Sequence, residues 1–346
     1  MLAIKRLCKN FCYILLAMHI AGFVSAERPI RILSIDGGGV RGLIPATVLA
    51  AIEEQTGKRI TDLFDVMVGT STGGLIVLFL NIPGTGGQGK YTAADVVKIY
   101  RDLSEKVFPK SLWRSIRTIG GLISAKWSVK PAEELLKSYF GDLTMRDAVK
   151  DIVITSFDTK TKTFFPFSTF IAKKSNLYNR KMWEAGRATT AAPTYFKPFE
   201  LDLQGWAQLV LVDGAIGANN PGILGVMEAK KIYPNREYEL VSLGTGKTSE
   251  LGQVVAKGNL AGGILRMLLP AIGGLFSGQD QLSDQVAQSL VTSDNFFRIN
   301  PEIDVDLENM DNTDPKNLAK LEAIGDIIVK NSAVFRRLIE RLKANR

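Results

Sequence analysis

Histidine and cysteine are nearly missing from this chain of 346 residues. The one histidine, His19, and the two cysteines, Cys8 and Cys12, all fall within the first 26 residues. From Glu27 to Arg346 neither type occurs. That stretch can hold no disulfide framework, no cysteine nucleophile, no zinc site of Cys/His type and no histidine base. No Asn-x-Ser/Thr acceptor is present, so nothing points to N-glycosylation. Repeats and low-complexity tracts are absent, as are an RNP-like aromatic motif and a basic recognition helix. Nucleic acid is therefore not an expected partner. The formal net charge of +8 fits an affinity for anionic surfaces.

A long hydrophobic run is also lacking. Phe11 to Val24 is apolar but short of the roughly 18 residues that a membrane span needs. Lys5, Arg6 and Lys9 precede it, and Val24-Ser25-Ala26 follows the small-residue pattern before a cleavage point. This is the layout of a secretory signal peptide, with an uncleaved anchor or a buried helix as the alternatives. The expectation is a leader over 1–26 and a secreted or periplasmic domain over 27–346. Loss of all cysteine with the leader suits an oxidising compartment.

Apolar residues make up 46% and charged residues 23%, the balance of a folded globular protein. Strand-like and helix-like runs alternate. Strands are predicted at Ile30–Ile35, Phe64–Val68, Ala207–Val212 and Glu239–Leu243, and a hairpin at Ile152–Phe157 and Thr163–Phe167. Helices are predicted at Leu43–Gln55, Thr72–Leu80, Pro221–Ile232, Pro315–Val329 and Ser332–Lys343. Such alternation implies an α/β fold, a mostly parallel sheet between two helical layers, with ligands beyond the carboxyl ends of its strands.

Three glycine-rich turns fall at such ends. Gly69-Thr70-Ser71-Thr72-Gly73 lies between an apolar strand and an apolar helix, the setting of a nucleophile elbow. The turn is tight enough to demand glycine on either side of the serine. Asp36-Gly37-Gly38-Gly39-Val40-Arg41-Gly42 opens a helix with successive backbone N–H groups, a ready anion site. In an acyl hydrolase it would supply the oxyanion hole. It also matches the dinucleotide fingerprint G-x-G-x-x-G, but the next strand ends in Gly69-Thr70-Ser71 without the required acid. Two phosphate-loop look-alikes fail: Gly84–Lys90 is followed by Tyr91 and follows a helix, and Gly246-Lys247-Thr248 lacks the earlier glycine. Asp213-Gly214-Ala215 ends a third predicted strand. A serine needs a base, and with histidine excluded Asp213 is the best-placed acid, provided it is desolvated or bonded to the hydroxyl.

In this order, DGGGVRG, GTSTG and DGA resemble the three signatures of patatin-like phospholipases, and Ala191–Phe196 resembles a further block of that family. The similarity covers about Ile30 to Gly246. It implies an α/β/α sandwich and a cofactor-free, metal-free Ser–Asp dyad acting on phospholipid or other acyl esters. By resemblance, Ser71 is the nucleophile and Asp213 the base, and Gly37, Gly38 and Gly39 hold the oxyanion. Arg41 orders the loop, and Gly69, Gly73 and Gly214 support the turns. A non-catalytic relative, or a nucleotide binder using Gly37–Gly42, is the rival.

Two further stretches bear on lipid contact. Lys106 to Lys130 carries six basic residues (Lys106, Lys110, Arg114, Arg117, Lys126, Lys130) and no acid, with Phe108, Trp113 and Trp127 interleaved. It reads either as a docking face for an anionic membrane or as a solvated basic face over a buried aromatic one. Leu260–Phe276 is apolar and glycine-rich, broken by Pro270, and reads as core or lid rather than anchor.

Overall fold

A computed structural model describes residues 27–107, 128–193, 195–248 and 264–344. The expected leader, residues 108–127 of the basic stretch from Lys106 to Lys130 and the start of Leu260–Phe276 lie outside them.

The centre is a six-stranded sheet. Strand β1 (Ile30–Ile35) lies between β2 (Val66–Gly69) and β9 (Tyr238–Leu243). Strands β3 (Asp151–Ile154) and β10 (Phe296–Ile299) continue it on either side, all in parallel. A short antiparallel strand, β6 (Phe167–Ser168), closes the β3 edge. Strands β1 and β9 are buried throughout, and the one charge each carries, Arg31 and Glu239, is paired with the other at 3.0 Å.

Alternation along β1 divides two cores. Ile30 and Ile32 point into a cluster with Val226, Ala229, Leu240 and Ala287. That places helices α4 (Gly222–Ile232) and α5 (Ile264–Leu290) on one face. Leu33 and Ile35 point into the larger cluster with Leu49, Ile76, Val96, Leu321 and Leu338. On that face lie α1 (Leu43–Thr56), α2 (Thr72–Leu80), α3 (Ala93–Val107), α6 (Pro315–Asn331) and α7 (Ala333–Ala344). The period of two in the strand thus builds the mixed α/β, three-layer arrangement the sequence implies.

One feature of the expected topology is corrected. Ile152–Phe157 is not one strand but two: β3 stays in the central sheet, and after Thr155 the chain leaves for a second sheet as β4 (Ser156–Asp158). The return run divides likewise, into β5 (Thr163–Phe164) beside β4 and β6 beside β3. Strand β8 (Gln208–Asp213) then pairs antiparallel with β4 and with β7 (Phe199–Asp202), so it belongs to the second sheet and not to the parallel one. Local alternation reports which residues are buried, not which sheet receives them. The fingerprint of a strand at Phe199–Asp202, half exposed, and of edge strand β10, is correspondingly weak.

No helix among the described residues is long and apolar enough to cross a membrane.

Candidate active site

Ser71 stands between β2 and α2 with φ 52° and ψ −119°, a backbone region that non-glycine residues rarely occupy. The flanking glycines follow from contact. A Cβ on Gly69 would lie 2.4 Å from the Gly73 carbonyl oxygen, and one on Gly73 would lie 2.2 Å from that of Ile35. The Ser71 amide donates to Thr189 Oγ1 at 2.8 Å, which leaves the side chain as its reactive group.

Asp213 reaches this serine from the second sheet. Ser156, the first residue after the crossover, pairs with Asp213, whose amide donates to the Ala191 carbonyl at 3.1 Å. The block Ala191–Phe196 therefore borders the site. Thr155 Oγ1 donates to Thr70 Oγ1 at 2.8 Å, and Thr70 Oγ1 donates to the Ala218 carbonyl at 2.8 Å. This pair of hydroxyls ties the residue before Ser71 to the turn after Asp213. A Cβ on Gly214 would lie 2.1 Å from Thr155 Oγ1, so that turn also requires glycine.

Burial defines the chemistry of Asp213, which is 3% exposed. Desolvation pushes its pKa up to about 7, opposed by hydrogen bonding to the Ser71 hydroxyl and to the Ala215 amide, the latter at 2.9 Å. A carboxylate with a pKa near 7 is a far stronger base than an ordinary one and is still ionised at neutral pH in a large fraction of molecules.

The glycine loop lies against the serine: a Cβ on Gly37 would lie 3.3 Å from Ser71 Cβ. Its three amides are not equivalent. That of Gly37 donates to the Asn219 carbonyl at 3.1 Å. Those of Gly38 and Gly39 donate to no acceptor among the described residues. Two side chains fix their directions, because a carbonyl and the following N–H share one peptide plane. Thr245 Oγ1 donates to the Gly37 carbonyl at 2.6 Å and so orients the Gly38 N–H. Arg41 Nε donates to the Gly38 carbonyl at 3.4 Å and so steadies the Gly39 N–H. Arg41 is 8% exposed; burial lowers its pKa, and the carboxylates of Glu308 and Asp280 act against that.

Beneath the loop is a buried charge network. Asp36, 1% exposed, has its pKa pushed up to about 7 by burial, opposed by Arg298 at 2.7 Å. Arg298 also binds Asp284 at 3.1 Å and Ser242 Oγ at 3.0 Å. A cavity of about 60 Å³ between Asp36, Arg41, Asn219, Asp280 and Glu308 has room for water. Among the described residues no group of three or more His, Cys, Asp or Glu is placed to hold a metal ion.

Ser71, Asp213, the glycine loop and Arg41 thus converge, as do Gly69, Gly73 and Gly214 in their turns. Thr189, Asn219, Thr245 and Arg298 escaped the sequence reading, since a lone threonine, asparagine or arginine outside a motif carries no local signal.

A family model described as patatin-like phospholipase matches residues 33–222. Patatin-like protein 1 of Oryza sativa subsp. indica is 30% identical over 332 residues, covering 86% of this chain and 80% of that protein. Patatin-like protein 1 of Arabidopsis thaliana is 31% identical over 338 residues, covering 87% and 82%. The chain is also 28% identical over 347 residues to a probable inactive patatin-3-Kuras 1 of Solanum tuberosum, covering 92% and 91%.

Proposed function

The chain belongs to the patatin-like phospholipase family, whose activity is lipid acyl hydrolysis, and on that premise we propose that it cleaves fatty-acyl esters through a covalent acyl-Ser71 intermediate. The observation that carries the reading is the Asp213 carboxyl, buried at the end of β8 beside Ser71, raised to about 7 and favoured in its ionised form by the Ser71 hydroxyl.

In the first step Asp213 takes the hydroxyl proton as Ser71 Oγ attacks the acyl carbonyl. The carbonyl oxygen becomes an oxyanion and accepts hydrogen bonds from the Gly38 and Gly39 amides, with Gly37 held back by Asn219. Collapse breaks the ester bond, and the leaving alcohol takes the proton from Asp213. Water then enters, gives a proton to Asp213 and attacks the acyl carbon. Release of the fatty acid returns that proton to Ser71 Oγ. No cofactor enters this scheme.

The relative described as probably inactive raises the question of a silent site. Here serine and aspartate are both in place, which supports a working one. The nucleotide reading of Gly37–Gly42 gains no support. A Cβ on Gly37, Gly38, Gly39 or Gly42 would meet the protein's own atoms at 2.1 to 2.6 Å, so packing accounts for these glycines. The leader-like segment supports export, and the stretch from Lys106 to Lys130 supports peripheral contact with an anionic membrane.

The test is incubation of the protein over residues 27–346 with mixed phospholipids and short p-nitrophenyl esters, with a fluorophosphonate probe in parallel. Released fatty acid and a label on Ser71, both lost in Ser71→Ala, are expected. Equal hydrolysis by wild type and Ser71→Ala would remove Ser71 from the reaction.

A further inference from the structure

Gly42 ends the glycine motif, yet neither the oxyanion nor the nucleophile turn calls for it. The reason lies in what passes over its Cα. A Cβ there would lie 2.1 Å from Thr72 Oγ1 and 3.1 Å from Tyr100 Cζ. Those two side chains meet directly: the Thr72 and Tyr100 hydroxyls are hydrogen-bonded to each other. The Tyr100 hydroxyl donates in turn to the Gly39 carbonyl at 2.5 Å. A phenol has one proton to give, so the Thr72 hydroxyl is the donor in the first bond and Tyr100 relays it.

The two ends of this bridge belong to the two halves of the site. Thr72 follows Ser71 directly, at the first position of α2. Gly39 carries one of the two amides left open toward the reacting carbonyl. Tyr100 comes from α3, a helix distant in sequence from both. Both hydroxyl-bearing side chains are buried, with Thr72 2% and Tyr100 6% exposed, and Gly39 is half-buried. In such surroundings a hydroxyl–carbonyl bond is strong and its loss leaves a carbonyl unsatisfied. Burial also pushes the Tyr100 pKa upward, which keeps the phenol protonated and able to donate across the working pH range.

We propose that Tyr100 is a positioning residue that locks the nucleophile turn to the oxyanion loop, through Thr72 on one side and the Gly39 carbonyl on the other, with Gly42 left bare so that the bridge can pass. This rests on the dyad reading above. Removing the bridge leaves the Gly39–Val40 peptide held only through the Val40 amide, which donates to the Met310 carbonyl at 2.8 Å, and loosens the loop at the residue that carries the Gly39 amide. The amide of Gly39 and the oxygen of Ser71 then no longer keep one fixed separation. A misplacement of that kind acts on the transition state more than on the bound ester.

The experiment compares wild type with Tyr100→Phe, Thr72→Val and the double variant. The readouts are the second-order rate of Ser71 labelling by a fluorophosphonate, kcat and KM for a short-chain p-nitrophenyl ester, and the melting temperature. Tyr100→Phe keeps the ring and removes only the hydroxyl. The expected result is a labelling rate and kcat reduced about 10- to 100-fold, less than deletion of an oxyanion donor outright, with KM little changed. Thr72→Val should show a loss in the same direction, and the double variant should be no worse than Tyr100→Phe, because both break one chain. Tyr100→Phe that labels at the wild-type rate would overturn the proposal while leaving the dyad intact. Losses that add in the double variant and track melting temperature would also overturn it, in favour of plain packing. Should Tyr100→Phe fail to fold, Thr72→Val probes the same bridge from its other end, and a wild-type rate there has the same meaning. If wild-type Ser71 takes no label and no ester is cleaved, the dyad reading fails and the positioning role fails with it.

Discussion

The Ser71 hydroxyl lies close enough to the Asp213 carboxyl to favour its ionised form, and that carboxyl is 3% exposed at the end of a strand from another sheet. Burial costs the ionised form more than the neutral one, and the Asp213 pKa rises to about 7. The base must be ionised to accept the serine proton. Activity on a short soluble ester is therefore expected to rise through about pH 7 and level off above it. Asp213→Asn should be inactive at every pH. A rate that is flat from pH 5 to 9 in wild type would show that another group limits the reaction.

The same shift sets a stability difference. In the unfolded chain Asp213 loses its proton near the ordinary value of about 4, and in the folded chain only near 7. The folded state holds more protons in that window, so stability declines as pH rises from about 4 through about 7. Asp213→Asn escapes the decline. It should melt higher than wild type at pH 8, with the gap closing toward pH 4, as followed by calorimetry at several pH values.

Ser71 keeps a positive φ that alanine would also find unfavourable and glycine would not. Both Ser71→Ala and Ser71→Gly should be inactive. Ser71→Gly should melt at or above Ser71→Ala, since relief of strain of about 1–3 kcal/mol exceeds the entropy cost of glycine, about 0.5–1 kcal/mol. A lower melting point for the glycine variant would mean that the turn stores no strain.

Gly38 and Gly39 differ in what a methyl group would strike. At Gly38 it meets the Thr245 side chain at 2.2 Å; at Gly39 it meets the Met310 backbone oxygen at 2.1 Å, at a φ of 60°. A side chain can be trimmed and a backbone cannot. Gly39→Ala should be the more destabilising in urea denaturation. Thr245→Gly should recover stability in Gly38→Ala but not activity, because the bond to the Gly37 carbonyl goes with it.

Arg298 is bound by Asp36 and Asp284 within a buried network. Arg298→Met leaves Asp36 without its counter-charge, a change that costs about 3–5 kcal/mol when such pairs are broken. The loss should be smaller below pH 7, where Asp36 can take up a proton. Asp36→Asn should restore part of it at pH 8. Denaturation curves of the single and double variants check this.

Membrane contact is tested separately. Arg114→Glu with Arg117→Glu should weaken co-sedimentation with anionic vesicles, by about 1 kcal/mol for each charge removed, and spare hydrolysis of a soluble ester. High salt should erase the difference. Salt-independent binding would leave the stretch as a solvated face.

The turn that carries Ser71 and the glycine loop were legible in the chain, because each depends on local geometry. A serine at positive φ between a strand and a helix needs glycine two residues before and after it, and the spacing records that need. The near absence of histidine made Asp213 the best-placed candidate for the base. The alternation of strand-like and helix-like runs likewise showed a layered α/β fold in advance.

Tertiary structure decided the rest. That Asp213 faces Ser71 depends on the chain leaving the central sheet at Thr155, so that β4 draws β8 alongside; a strand's own residues do not name its neighbour. Which amides of the glycine loop remain open depends on Asn219, Thr245 and Met310, all distant in sequence, two of them beyond the part that matches the family. The pKa of Asp213 belongs to no residue at all but to its burial. A sequence displays bond geometry and periodicity, which act over a few residues. Desolvation and hydrogen-bond partners are properties of space, and they exist only once the layers have packed.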